Sequence, residues 1–120
     1  MAAWSIEVTD EFEAWFVTLD ESDQDAVLAS ILLLESRGPS LGRPHADTVH
    51  GSRHPNMKEL RTQSAGKPIR SFFAFDPRRS AILLIGGDKT GDARFYDRMI
   101  PIADKLYENY LSELRKEGLL

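Results

Sequence analysis

Residues 57–85, MKELRTQSAGKPIRSFFAFDPRRSAILLI, decide the fold. Three strand-like runs, Met57 to Gln63, Pro68 to Asp76 and Ala81 to Ile85, are separated by the turn-forming SAGK and DPRR stretches. Connections this short join antiparallel neighbours, so the segment predicts a meander. The last run, AILLI, is apolar on both faces, which places it centrally with each face covered.

Upstream, Trp4, Ile6 and Val8 alternate with polar residues, the period-2 pattern of a first strand. Phe12, Trp15, Phe16 and Leu19 then fall at helical spacing behind Thr9 and Asp10, predicting a helix over 10–19. A second stripe of Val27, Leu28, Ile31, Leu32 and Leu34 follows a capping-box pattern at Ser22 and Asp25 and is stopped by Gly38-Pro39. The two helices are expected to form an antiparallel hairpin whose aromatic and aliphatic stripes pack on each other. Residues 38–56 hold three Pro, three Gly and three His and read as a long loop. Downstream, GGDKTG at 86–91 is expected to turn the chain out of the sheet. Phe95, Tyr96, Met99 and Ile100 have helical spacing, Pro101 interrupts or restarts the helix, and a C-terminal helix is expected over about 101–117, carrying Ala103, Leu106, Tyr107, Tyr110, Leu111 and Leu114. The order βααβββα in 120 residues describes one small α+β domain.

The chain has no cysteine, which excludes a disulfide scaffold, a cysteine nucleophile and thiolate-ligated metals. The longest apolar run is Ala81 to Ile85, far short of a membrane span of roughly 18 residues, and the N-terminus lacks a signal peptide's charged and apolar regions. A soluble, cytoplasmic protein is expected, with no membrane partner. The net charge of −4 conceals a partition: residues 1–50 carry two basic and ten acidic residues, residues 51–100 ten basic and five acidic. A middle segment that meets an anion is one reading of this split, and a solvated surface the other. Arg61 and Arg70 lie on neighbouring predicted strands. On a shared face they can grip one phosphate bidentately; otherwise each pairs with Glu59, Asp76 or Asp88. His45, His50 and His54 have only Asp47 nearby, so neither a metal nor another cofactor is expected. GGDKTG lacks the spacing of a nucleotide-binding phosphate loop.

Four segments in order, MKELR at 57–61, IRSFF at 69–73, ILLIGGDKT at 82–90 and IPIAD at 100–104 followed by Tyr107, carry a likeness to a known family. Over about residues 4–112 the chain resembles the HigB-like, phage-derived branch of the RelE/ParE toxin superfamily. The resemblance implies the toxin half of a type II toxin–antitoxin pair, a metal-independent endoribonuclease that cuts messenger RNA on the ribosome and inhibits translation. It also implies a small helix-turn-helix antitoxin as partner. A ParE-like gyrase inhibitor, or an interaction module that kept the fold without catalysis, are the alternatives. Carried over residue by residue, the site would use Arg61, Arg70 and Lys89 on phosphate, with His54 and Tyr96 as candidates for proton transfer. Arg53, Lys58, Lys67, Arg78, Arg79 and Arg94 would add RNA contacts. Unlike basic relatives, this chain is acidic overall and has a single lysine after the last strand.

Overall fold

The computed structural model describes residues 3–120. It has an α+β fold, as expected: β1 (Ser5–Val8), α1 (Asp10–Phe16), α2 (Glu21–Arg37), β2 (Ala46–Thr48), β3 (Lys58–Ser64), β4 (Lys67–Asp76), β5 (Ser80–Asp88) and α3 (Phe95–Lys116). The strands form one sheet in the order β1-β5-β4-β3-β2, with β1 parallel to β5 and every other pair antiparallel. Helices α1 and α2 lie on one face of the sheet and α3 on the other, so β5, an interior strand beside the edge strand β1, is covered on both faces, while the central strand is β4. Alternation along β5 divides its side chains: Ala81 and Leu83 enter the core beneath α1 and α2, while Ile82 and Leu84 enter the core beneath α3.

Several boundaries differ from the sequence reading for identifiable reasons. Helix α1 ends at Phe16 rather than Leu19, and the cap of α2 is Asp20, whose carboxylate accepts from the Asp23 N–H at 2.8 Å. Ser22 therefore lies in the first turn of the helix and does not cap it. The two helices pack mainly on the sheet, α1 against β5 and α2 against β3, and not chiefly on each other. As a result the stripe facing the core is Asp23, Val27, Ser30 and Leu34, whereas Leu28 and Leu32 are exposed. Leu34 is fully buried and Leu32 is 63% exposed. Leu34→Ala is thus expected to cost about 2–5 kcal/mol and Leu32→Ala to stay within about 0.5 kcal/mol, as chemical denaturation will measure.

The loop at 38–56 is not free of regular structure. After a 3-10 turn at Gly38–Ser40 it contributes β2, whose Ala46 and Thr48 pair with Leu60 and Lys58. Three residues are too few to show a period-2 pattern. Strand β5 continues through Gly86 and Gly87 to Asp88 instead of turning out at Gly86. Glycine is needed there for close approach: a Cβ at Gly86 would lie 2.3 Å from the Trp15 ring, and one at Gly87 would lie 2.8 Å from Phe95. Helix α3 starts at Phe95, six residues before Pro101, which sits inside it. Phe95, Met99, Ile100 and Ala103 bury the first turns against the sheet, which holds the helix together across the missing Pro101 N–H.

Candidate functional site

Arg61 and Arg70 are direct cross-strand partners on β3 and β4. Directly opposed residues project from the same face, here the one that carries α3. Two arginines held this close need a counter-charge, and the next pair along, Glu59 opposite Phe72, supplies it. Arg61 Nε donates to Glu59 Oε2 at 3.0 Å, and Arg70 Nε lies 3.8 Å from Glu59 Oε1. The side chains of Glu59, Arg70 and Arg61 are 5%, 10% and 30% exposed, so only Arg61 reaches well into solvent. Asp47 on β2 extends the network, taking Arg43 at 2.7 Å and Arg61 at 3.6 Å. The Arg70 Nε is buried, with Glu59 Oε1 at 3.8 Å and no acceptor within hydrogen-bond distance.

Tyr96 closes the cluster from α3. Its hydroxyl donates to Glu59 Oε1 at 2.6 Å, and burial first, then this hydrogen bond to the carboxylate, pushes the phenol's pKa up. Tyr96 therefore keeps its proton at neutral pH. Its position follows from Gly87, because the missing side chain admits the Phe95 ring, which stacks on Phe72 at 6.0 Å and starts α3 at that point. Lys89 follows the end of β5 and lies over the Tyr96 ring at 5.4 Å. A cleft of about 380 Å³ is lined by Arg43, Asp47, His50, Glu59, Arg61, Lys89 and Tyr96. Three cations, Arg43, Arg61 and Lys89, meet two carboxylates in this lining, and Arg70 stands behind Glu59, an arrangement that suits a phosphodiester.

The other residues singled out from sequence lie elsewhere. His54 Nε2 lies 2.9 Å from Glu108 Oε2, and its ring meets Tyr107 edge-on, against α3 and outside the cleft. Arg53 binds the same Glu108 oxygen at 2.6 Å, and its N–H, together with the Ser52 hydroxyl, donates to the buried Asp104. Arg78 is held by Asp76, Glu7 and Tyr110, and Arg79 lies over Trp4. Arg94 is exposed, 3.9 Å from Asp97. Lys58 precedes Glu59 on β3 and makes no ion pair among the described residues. Glu59, Asp47, Arg43 and His50 join the site although the sequence did not mark them as phosphate ligands or proton-transfer groups. Glu59 was legible, since the two-residue spacing puts it on the same face as Arg61.

Lys67 pairs with Asp23, which also accepts from Ser64 Oγ at 2.6 Å and so fixes the start of α2 to the β3–β4 turn. The Lys67 ammonium, then the Ser64 hydroxyl, holds the Asp23 carboxyl below its ordinary range. A depressed native pKa adds stability that is present above the unfolded value of about 3.9 and is lost as pH falls through the folded value. Asp23→Asn is expected to lower stability at neutral pH and to flatten the acid limb below pH about 4, read from urea midpoints against pH.

Fold and cleft together define a class: a small α+β scaffold that presents an arginine pair, a carboxylate and a phenol on one face of its sheet. Residues 14–108 match the family model described as "Phage derived protein Gp49-like". The chain is 52% identical over 103 residues to "Putative toxin HigB3" of Mycobacterium tuberculosis (strain ATCC 25618 / H37Rv), covering 85% of this chain and 89% of that one. It is 45% identical over 112 residues to "Putative toxin HigB2" of the same organism, covering 92% of this chain and 55% of the longer relative. The chain belongs to the Gp49-like phage-derived family, among the HigB-like toxins. No helix among the described residues is long and apolar enough to cross a membrane.

Proposed function

We propose that this chain is the toxin of a type II toxin–antitoxin pair and that it cleaves messenger RNA on the ribosome. The observation that carries the reading is that Arg61, Arg70 and Tyr96 all meet one carboxylate, Glu59, at the wall of a cleft. Cleavage of RNA by its own 2′-hydroxyl needs three things: a base for that hydroxyl, cations for the phosphorane and an acid for the 5′-oxygen. Glu59 takes the 2′-hydroxyl proton as the new P–O2′ bond forms. Arg61 and Arg70 neutralise the charge on the phosphate oxygens, and incoming phosphate displaces Glu59 from Arg61. The phenol of Tyr96 protonates the 5′-oxygen as the P–O5′ bond breaks. The 2.6 Å contact between Tyr96 and Glu59 then returns the proton from carboxyl to phenolate and resets the site. The products are a 2′,3′-cyclic phosphate and a 5′-hydroxyl end. Lys89 adds positive charge at the mouth.

The toxin names of the relatives support an antitoxin partner, and a small helix-turn-helix protein encoded beside this chain is the expected form. Brief induction followed by mapping of messenger RNA ends, with and without active translation, tests the reading. New 5′-hydroxyl ends inside translated regions, suppressed when translation is blocked, are expected. Growth arrest accompanied by DNA breaks and intact messages would instead point to gyrase.

A further inference from the structure

Next to the catalytic cleft lies a second one of about 540 Å³, bounded by Arg61 and Arg70 together with Ala29 and Leu33 of α2, the Pro44-His45 corner and Gln63. Arg61 borders both clefts, so an RNA strand seated on the arginine pair continues directly into this space. The volume falls in the range of ligand clefts and accommodates one nucleotide. The backbone at its edge is also distinctive. Strand β2 begins opposite Leu60 and leaves β3 with a neighbour on one side only from Thr62 onward. The Arg61 N–H points away from β4, donating to His45 O at 2.7 Å. Alternation in an antiparallel ladder gives Gln63 the same orientation. Its partner on β4 is Pro68, which has no N–H to offer. The Gln63 main chain therefore presents an adjacent donor and acceptor toward the cleft, the pair of groups that a nucleobase edge matches.

We propose that this second cleft is a nucleobase subsite, in which the nucleotide beside the scissile phosphate is read by the open main-chain edge of β3 at Gln63. The proposal rests on the RNA-cleavage reading and adds the source of its sequence preference. Ala29 and Leu33 form an apolar wall for the ring, and the flat surface of Pro44 and His45 offers a stacking partner. Arg61, which borders both clefts and is 30% exposed, binds the phosphate joining the two subsites.

Two substitutions separate the parts. Gln63→Pro removes the outward N–H without breaking a bond to β4, and Ala29→Trp fills the cleft from an exposed helix position. In mapped cleavage sites, the wild type is expected to show a base bias at one position beside the cut. Gln63→Pro is expected to lose that bias while still cutting, and Ala29→Trp to lose cutting at most sites while remaining folded. An unchanged bias in Gln63→Pro together with unimpaired cutting by Ala29→Trp overturns the subsite. A second readout stands apart from cleavage: titration of the purified protein with each of the four ribonucleoside monophosphates, followed by backbone amide shifts. Base-dependent shifts at Gln63 and Ala29 support the subsite, and shifts confined to Arg61, Lys89 and Tyr96 overturn it. If the wild type cuts no RNA, the functional reading falls and the titration alone decides the subsite.

Discussion

Glu59→Gln is expected to lower RNA cleavage by about 10²–10⁴-fold and to abolish growth arrest, because it removes the carboxylate that touches Arg61, Arg70 and Tyr96 together. Glutamine keeps the size of the side chain and an oxygen for Tyr96, but it neither takes a proton from a 2′-hydroxyl nor balances the arginines. The freed arginines should then hold RNA more tightly, so binding and cleavage should move in opposite directions. That divergence sets a lost base apart from a lost fold. Tyr96→Phe serves as a companion: it deletes one hydroxyl, leaves the ring packed against Phe72 and Phe95, and is expected to cut slowly with unchanged binding. Cleavage at the wild-type rate in folded Glu59→Gln protein would remove Glu59 from the chemistry.

The largest effect on stability is expected from Phe72→Ala. Phe72 is fully buried in the core beneath α3, stacks on Phe95 at 6.0 Å and meets Tyr96 edge-on at 6.1 Å. The cavity should cost about 3–5 kcal/mol, a large share of the roughly 5–15 kcal/mol that holds such a fold together. Because Phe72 is also opposite Glu59, the loss should loosen Tyr96 over the carboxylate before the sheet itself unfolds. Calorimetry of the variant, with exchange protection of the 95–100 amides, measures both consequences. A melting temperature equal to that of the wild type would show that the α3 core is not organised around this ring.

Much of this was written in local pattern. The meander over 57–85, the burial of the 81–85 strand on both faces, a cap at Thr9 or Asp10 and the placing of Arg61 and Arg70 on neighbouring strands all follow from period-2 and period-3.6 spacing and from short turns, whereas the central strand proved to be β4. What escaped was set by tertiary contact. Leu32 has the helical spacing of a core residue but faces solvent, because α2 turns Val27, Ser30 and Leu34 toward β3. Gly86 and Gly87 look like a turn, yet they stay in the strand to admit Trp15 and Phe95. At the site, basic residues drew attention as phosphate ligands while Arg53, Lys67 and Arg78 were committed to Glu108, Asp23 and Asp76. Glu59, weighed only as an ion-pair partner, proved to be the point where the cations and the phenol meet.

The central claim is that this cleft breaks RNA through Glu59, Tyr96 and the arginine pair. Its most direct test is to incubate the purified protein with ribosomes carrying an end-labelled message and to identify the ends that appear. Cuts in the ribosome-bound message that leave a 2′,3′-cyclic phosphate and a 5′-hydroxyl, and that are lost with Glu59→Gln, are expected. A message that stays intact while translation stops, or cuts that persist unchanged with Glu59→Gln, would contradict it.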